Sequence, residues 1–254
     1  MTPEPVIVIT RPERDGARTA AFLEEHGFRS LIKPLIETRK IEPAEEDRRA
    51  LLACDWVLVT SRNAARALSA LLASDQGGEG PPSFSVAAIH EGSAAALAEA
   101  GIPPDRVLHA PNADSAARAL VRDTARRPLR IGYPCSLQAD TAWTTTDALS
   151  DVEIVRVPLY STEPTDAGAP ETRAFWEAEE FDCVLVASPT AARALHAIRP
   201  IAGFDSEIAF AAIGRTTAGC LRELGRSPAI VPAEPTMPAL ADALIHWRDA
   251  RRRS

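Results

Sequence analysis

Hydroxyl, amide and cationic side chains collect at one kind of place in this chain, the end of an apolar strand-like run and the residues just after it. Thr10-Arg11-Pro12, Thr60-Ser61-Arg62-Asn63, His90-Glu91-Gly92-Ser93, Pro134-Cys135-Ser136, Ala187-Ser188-Pro189-Thr190 and Gly214-Arg215-Thr216-Thr217 all fit that description. In open α/β sheets such ends lie beside helix N-termini, and ligands bind there. Serine and threonine are ordinary helix N-caps, so every one of these hydroxyls has a structural explanation. Caps nevertheless leave further N–H groups free, and several ends facing one cleft would form an anion-binding wall. Arg11 and Arg62 can add charge-assisted hydrogen bonds or simply be solvated. His90 can donate a proton or be a loop histidine without a role. Cys135 reads as a small apolar filler, because nothing near it in sequence would lower its pKa.

Tyr160 stands apart. It closes an apolar run in Val157-Pro158-Leu159-Tyr160-Ser161-Thr162, and the same pattern occurs earlier as Lys33-Pro34-Leu35-Ile36-Glu37-Thr38. Where the first copy has Ile36, the second has an aromatic hydroxyl. That phenol is either a catalytic group or a core tyrosine whose hydroxyl is satisfied.

Several function classes are excluded or disfavoured. A formal charge of −7 argues against a general nucleic-acid binder, which needs clustered excess cation, but not against an anionic small ligand held by backbone N–H groups. No apolar run approaches membrane-spanning length, and Met1-Thr-Pro-Glu-Pro lacks the charged and apolar regions of a signal peptide, so a cytoplasmic protein is expected. The four cysteines (Cys54, Cys135, Cys183, Cys220) have no CxxC spacing and the five histidines form no HExxH, so neither a disulfide framework nor a metal site is expected. There is no GxGxxG after a strand, no Walker loop and no GxSxG elbow.

The elements that must position these residues alternate between strand and helix. Apolar runs predict strands at 6–10, 28–35, 55–60, 85–89, 107–108, 129–133, 152–159, 182–187, 208–213 and 229–231. Helical spacing predicts helices at 14–26, 45–53, 62–72, 93–100, 113–124, 139–149, near 174, 189–198, 216–224 and 237–247, and residues 74–82 read as a loop. The order repeats: DWVLVTSRNAARALSAL (55–71) lies over DCVLVASPTAARALHAI (182–198) with eleven of seventeen positions identical, and AAIHEGSAAALAEAG (87–101) over AAIGRTTAGCLRELG (211–225). A repeat this long is a duplicated domain, which predicts an α/β fold of two similar domains, each a five-stranded parallel sheet flanked by helices. Only three or four residues join the halves near 127, a normal spacing inside one layer, whereas the connections after Ile36 and Tyr160 are about twenty residues each. The expected domains are therefore 1–36 plus 162–254, and 39–159. The chain then crosses twice through a two-stranded connector at 33–38 and 157–162.

Taken in order, VIVITRPE, the strand into PLIE, DWVLVTSRNAA, the AAI segment before Ser93, IGYPCS, VPLYST, DCVLVASPTAARAL and AAIGRTTAGCLRELG resemble the uroporphyrinogen-III synthase family over essentially the whole chain. The resemblance implies a cofactor-free lyase of tetrapyrrole synthesis built of two α/β domains. Such an enzyme takes linear hydroxymethylbilane, loses water, inverts ring D through a spiro intermediate and closes uroporphyrinogen III. It also implies Tyr160 as the catalytic phenol, with Ser61, Ser93, Ser188 and Thr217 at the family's strand-end hydroxyl positions. Thr10, Arg11, Arg62, Asn63, His90, Ser136, Thr190, Gly214 and Thr216 complete the expected substrate contacts. Implied partners are the small-molecule bilane and a transient hand-over from hydroxymethylbilane synthase; the expected state is a monomer, with no nucleic acid and no membrane. The chain departs from the family at His90, where glycine is usual, at Ser93, which replaces a threonine, and at Ser136, where glycine is common. The rival reading is a non-catalytic two-domain binding protein or sensor for an anionic, tetrapyrrole-like ligand. The two-crossing topology predicts that limited proteolysis nicks residues 37–54 and 161–181, whereas a first cut near 127 would favour two sequential domains.

Overall fold

A computed structural model describes residues 4–74, 83–124, 128–145, 149–165 and 169–253. The chain divides into two compact units, residues 1–37 with 163–254, and residues 38–162. The loop expected at 74–82 lies, apart from Ser74, outside the described residues. Among the described residues no helix is long and apolar enough to cross a membrane.

In the first unit, β1 (Val6–Ile9), β2 (Arg29–Ile32), β9 (Cys183–Val186) and β10 (Ala209–Ala212) form a sheet in the order β10-β9-β1-β2, with every pairing parallel. Continuous apolar runs suit these strands because helices cover both faces. Val8, Val184, Val186 and Phe210 pack on one face with α7 (Pro189–Ile198) and α8 (Arg215–Glu223). Ile7, Ile9, Leu185 and Ala211 pack on the other with α1 (Glu13–Glu24) and α9 (Met237–Arg251).

A fifth strand is not completed. Residues 229–231 make only an isolated parallel bridge, Ala211 to Ile230. Pro228 and Pro232 bound this three-residue run, and proline has no N–H to extend a ladder.

The second unit holds the order β3-β8-β7-β4-β5-β6, from β3 (Ile36–Lys40), β4 (Trp56–Val59), β5 (Ser85–Ile89), β6 (Arg106–Leu108), β7 (Leu129–Ser136) and β8 (Val152–Pro164). Five of these strands are parallel neighbours. The sixth, β3, lies beside β8 where the chain passes from one unit to the other. Ile41 N donates to Leu159 O and Thr165 N to Leu35 O, so residue numbers fall along β8 as they rise along β3, an antiparallel arrangement. The expected five-plus-five strands are thus four and a bridge in one unit, and five plus an antiparallel edge in the other. The helices α2 (Glu45–Leu52), α3 (Arg62–Ala73) and α4 (His90–Glu99) cover one face of this sheet, and α5 (Ala113–Asp123) the other.

Two further expectations change. β8 runs on to Pro164, leaving α6 (Pro170–Ala178) to follow. The helix expected at 139–149 is, among the described residues, a short 3-10 turn at Ala142–Thr145, with 146–148 undescribed. Asp140 Oδ1 accepts from Ala142 N and Thr144 Oγ1 donates to Thr141 O, local bonds that compete with a regular helix.

Gly132 marks the tightest approach in the second unit. A Cβ there would meet Leu51 Cδ1 at 2.5 Å and Val57 Cγ2 at 3.2 Å, whereas Gly92 has open space around it. Gly132→Ala should therefore destabilise by about 1–3 kcal/mol. Gly92→Ala, at a helical position, should be neutral or stabilise by up to about 1 kcal/mol. Denaturant unfolding of both variants checks the contrast.

Candidate functional site

The strand ends of each unit form one edge. In the first unit, Thr10 and Arg11 follow β1, Ser188 and Thr190 follow β9, and Gly214, Thr216 and Thr217 follow β10, three adjacent strands. Their side chains are engaged to different degrees. Thr10 is fully buried and its hydroxyl donates to Leu185 O at 2.9 Å, so it has no proton to offer a ligand. Arg11 reaches Thr19 Oγ1 at 3.2 Å and pairs with Asp15 at 3.9 Å. Ser188 caps α7, accepting from Ala191 N at 3.1 Å. Gly214 is the N-cap of α8 in extended backbone; Thr216 is exposed, Thr217 is buried and Thr190 is half-buried.

The second unit brings its candidates closer together. Ser61 caps α3 by accepting from Ala64 N at 3.0 Å, and the same oxygen lies 3.1 Å from Tyr160 Oη. One hydroxyl thus completes a helix end and fixes a phenol. Asn63 Nδ2 approaches Thr38 Oγ1 at 3.5 Å and its Oδ1 accepts from Arg66, while Arg62 is exposed. Ser136 Oγ donates to Gln138 Oε1 at 2.6 Å and accepts from Gln138 N at 3.3 Å.

His90 holds φ +59°, a backbone state that glycine adopts freely and other residues rarely. The chain thus holds a histidine in a glycine-favoured backbone state, with its exposed imidazole 6.1 Å from the His109 ring. The helix begins at His90 and not at Ser93, which is buried in its first turn; the N-cap is Ile89, with no side-chain cap. Once His90 turns into the left-handed region, the chain can enter the helix three residues early.

Tyr160 reaches Ser61 because of a register shift. β7 and β8 pair residue for residue up to Cys135 with Pro158, but Ser136 pairs with Tyr160, so Leu159 is the extra residue of a β-bulge. Along β8, Val155, Val157 and Leu159 pack on the face carrying α3, and Val152 and Ile154 on the other. Strict alternation would send Tyr160 with Ile154. The bulge turns it back among Val157 and Leu159, where α3 begins. Pro158, which cannot donate a ladder bond, sits where such irregularity costs least.

Burial raises the Tyr160 phenol's pKa above its usual value, a rise that the Ser61 hydrogen bond only partly offsets. The group is therefore a neutral hydrogen-bond donor across the physiological range, with its side chain only 8% exposed. Tyr133, the chain's one other tyrosine, is equally buried, and burial raises its phenol too, with the Thr60 hydroxyl opposing the rise. Local sequence does not single out Tyr133; its one signal is that the chain has only two tyrosines, both on strands that reach this edge. Burial also raises the Cys54 thiol to about 11 and lifts Cys135 and Cys183, so none of these is an activated nucleophile. Among the described residues no group of three or more His, Cys, Asp or Glu is placed to hold a metal ion.

A family model described as uroporphyrinogen-III synthase HemD matches residues 17–242. The chain belongs to the uroporphyrinogen-III synthase family. It is 26% identical over 253 residues to a chloroplastic uroporphyrinogen-III synthase of Oryza sativa subsp. japonica, covering 96% of this chain and 80% of the relative. The fold is similar to a mutant uroporphyrinogen III synthase of Thermus thermophilus (TM-score 0.62, 21% identity, 98% of this chain and all of that one). It is also similar to the uroporphyrinogen-III synthetase of Helicobacter pylori (TM-score 0.65, 16% identity, 96% of this chain and all of that one). At such identities the likeness is one of fold. Within this family member the two units supply parallel sheets flanked by helices, and the Tyr160–Ser61 pair is the closest meeting of two candidate side chains.

Ser61→Ala removes the α3 cap and should cost about 1 kcal/mol of stability. Tyr160→Phe should cost less than about 1.5 kcal/mol. Because both lose one shared hydrogen bond, the double variant should be less destabilised than the sum of the two, by about 0.5–1 kcal/mol in a double-mutant cycle.

Proposed function

We propose that this chain is a cofactor-independent lyase that cyclises hydroxymethylbilane to uroporphyrinogen III with loss of water and inversion of ring D. The observation that carries the reading is the buried phenol of Tyr160, aimed at a helix N-terminus by a β-bulge in a chain of this family. Departure of the bilane's hydroxyl leaves an azafulvene cation, and a donor at the departing oxygen lowers the barrier. A phenol of raised pKa is a poor source of a full proton at neutral pH, so Tyr160 assists by hydrogen bonding to that oxygen. Ser61 holds the ring in place and can accept the phenol's hydrogen bond before substrate arrives.

Product choice is then a matter of position. Unaided, the bilane closes to the type I isomer; to form type III, ring D must be held so that its substituted carbon attacks. Strand-end hydroxyls and uncapped N–H groups are suited to the substrate's carboxylates, which carry most of its recognisable charge. Monomeric action in the cytoplasm, on bilane handed over by hydroxymethylbilane synthase, belongs to the same reading. A sensor that kept the binding residues and lost turnover would equally retain a buried Tyr160, and turnover separates the two. Supplied with freshly made hydroxymethylbilane, the protein should yield type III product; type I alone would sink the enzyme reading. Tyr160→Phe should remain folded and lose most turnover, and full activity would reduce the residue to packing. With Tyr160 neutral throughout, wild-type activity should show no alkaline limb from this group below about pH 10.

A further inference from the structure

Arg156 and Tyr133 are register partners on the adjacent strands β8 and β7, so their side chains leave the sheet on the same face. Cys135, buried, lies two residues further along that face. Arg156 Nη2 donates to Leu137 O at 2.8 Å, so the guanidinium runs past Cys135 toward the carboxyl edge of the sheet. Ser136 of that edge is the register partner of Tyr160, and Leu137 N donates to Tyr160 O. The arginine therefore extends toward the backbone that carries the catalytic phenol.

Its own hydrogen bonding is incomplete. Among the described residues the Leu137 carbonyl is its one oxygen acceptor and the Cys135 thiol a weak sulfur partner, while Nε is buried without a hydrogen bond. No described Asp or Glu pairs with it, although arginines elsewhere in the same unit do find carboxylates: Arg130 binds Glu153 at 2.8 Å, Arg106 binds Asp123 at 2.7 Å and Arg118 binds Asp114 at 2.8 Å. The chain has 35 acidic residues to 28 basic ones, so acceptors are not scarce. A half-buried guanidinium left without a carboxylate is costly, and its planar fork is made for one. Beside it stands Tyr133, its ring held edge-on by Trp143 at 5.1 Å between centroids, with a phenol that stays a donor.

We propose that Arg156, assisted by the Tyr133 phenol, anchors a carboxylate of the substrate on the second unit and so sets where the bilane lies relative to Tyr160. The proposal rests on the function proposed above and adds a specificity-determining contact to it. The missing acceptor of the arginine is then an acetate or propionate side chain of the bound tetrapyrrole.

Two measurements test it together: fluorescence titration with uroporphyrin III, a stable octacarboxylate, and steady-state kinetics on hydroxymethylbilane. Arg156→Gln should weaken uroporphyrin III binding about tenfold, the loss of one charge-assisted contact. It should raise KM by a similar factor while leaving kcat within about threefold of wild type. Arg156→Lys should recover part of the affinity, and Tyr133→Phe should weaken binding a few-fold. Arg156→Met keeps the aliphatic stem and serves if the glutamine variant is unstable. Wild-type affinity in either folded neutral variant, or no binding of uroporphyrin III by the wild type, overturns the anchor. Failure of both neutral variants to fold would make Arg156 a structural residue, and the proposal would fall. Should the wild type bind uroporphyrin III yet give no type III product, the enzyme reading fails while the titration still decides the anchor.

Discussion

The extra residue in β8 is the constraint on which the site depends. A β-strand alternates its side chains between faces, and only a change of register can place Leu159 and Tyr160 on the same side. Without that change, the phenol would point to the face of Ile154 and Val152, away from the start of α3. With it, the phenol meets the hydroxyl that caps α3, and the positions of a strand end and a helix end are tied by one oxygen. A hydrogen bond of this kind contributes only about 1 kcal/mol net, so its value lies in orientation more than in stability.

The strand-end hydroxyls show how one residue type serves different ends according to what surrounds it. Thr10 spends its proton on a neighbouring strand's carbonyl and locks β1 to β9. Ser188 caps α7, as its counterpart Ser61 in the repeat caps α3. The counterpart differs because only the second unit places a tyrosine within reach. The duplication has therefore kept the scaffold in both halves and specialised one of them. The same divergence appears at His90 and Gly214, equivalent positions in the repeat. The histidine lies in the left-handed region at φ +59° and the glycine in extended backbone at φ −171°. Glycine's freedom is thus unused where it is present, and its conformation is imposed where it is absent.

Electrostatics at the second unit's edge follow from burial. Desolvation keeps both tyrosines and the Cys135 thiol neutral, leaving a set of donors and weak acceptors, with Arg156 running toward them and Arg62 exposed after β4. Neutral donors beside a few arginines suit an anionic ligand. The chain's overall negative charge is no obstacle, because such contacts act over a few ångströms and bulk charge is screened.

The sequence by itself determined the α/β class and most of the order of strands and helices. It could do so because parallel strands covered on both faces must be continuously apolar, and Val6–Ile9, Trp56–Val59 and Cys183–Val186 are plainly so. It also singled out Tyr160 and Ser61 by type and place. Only the tertiary structure decided that they touch, since a bulge depends on how two strands settle against each other and leaves no pattern in either alone. It likewise decided that residues 229–231 stop at a single bridge, that 142–145 coil into a 3-10 turn, and that β3 adds an antiparallel edge. Each of these is a contest between local preference and a neighbour's hydrogen bonds, and the neighbour is absent from the local sequence. Arg156 and Tyr133 are the clearest case: twenty-three positions apart in the chain, they become side-by-side partners only through register.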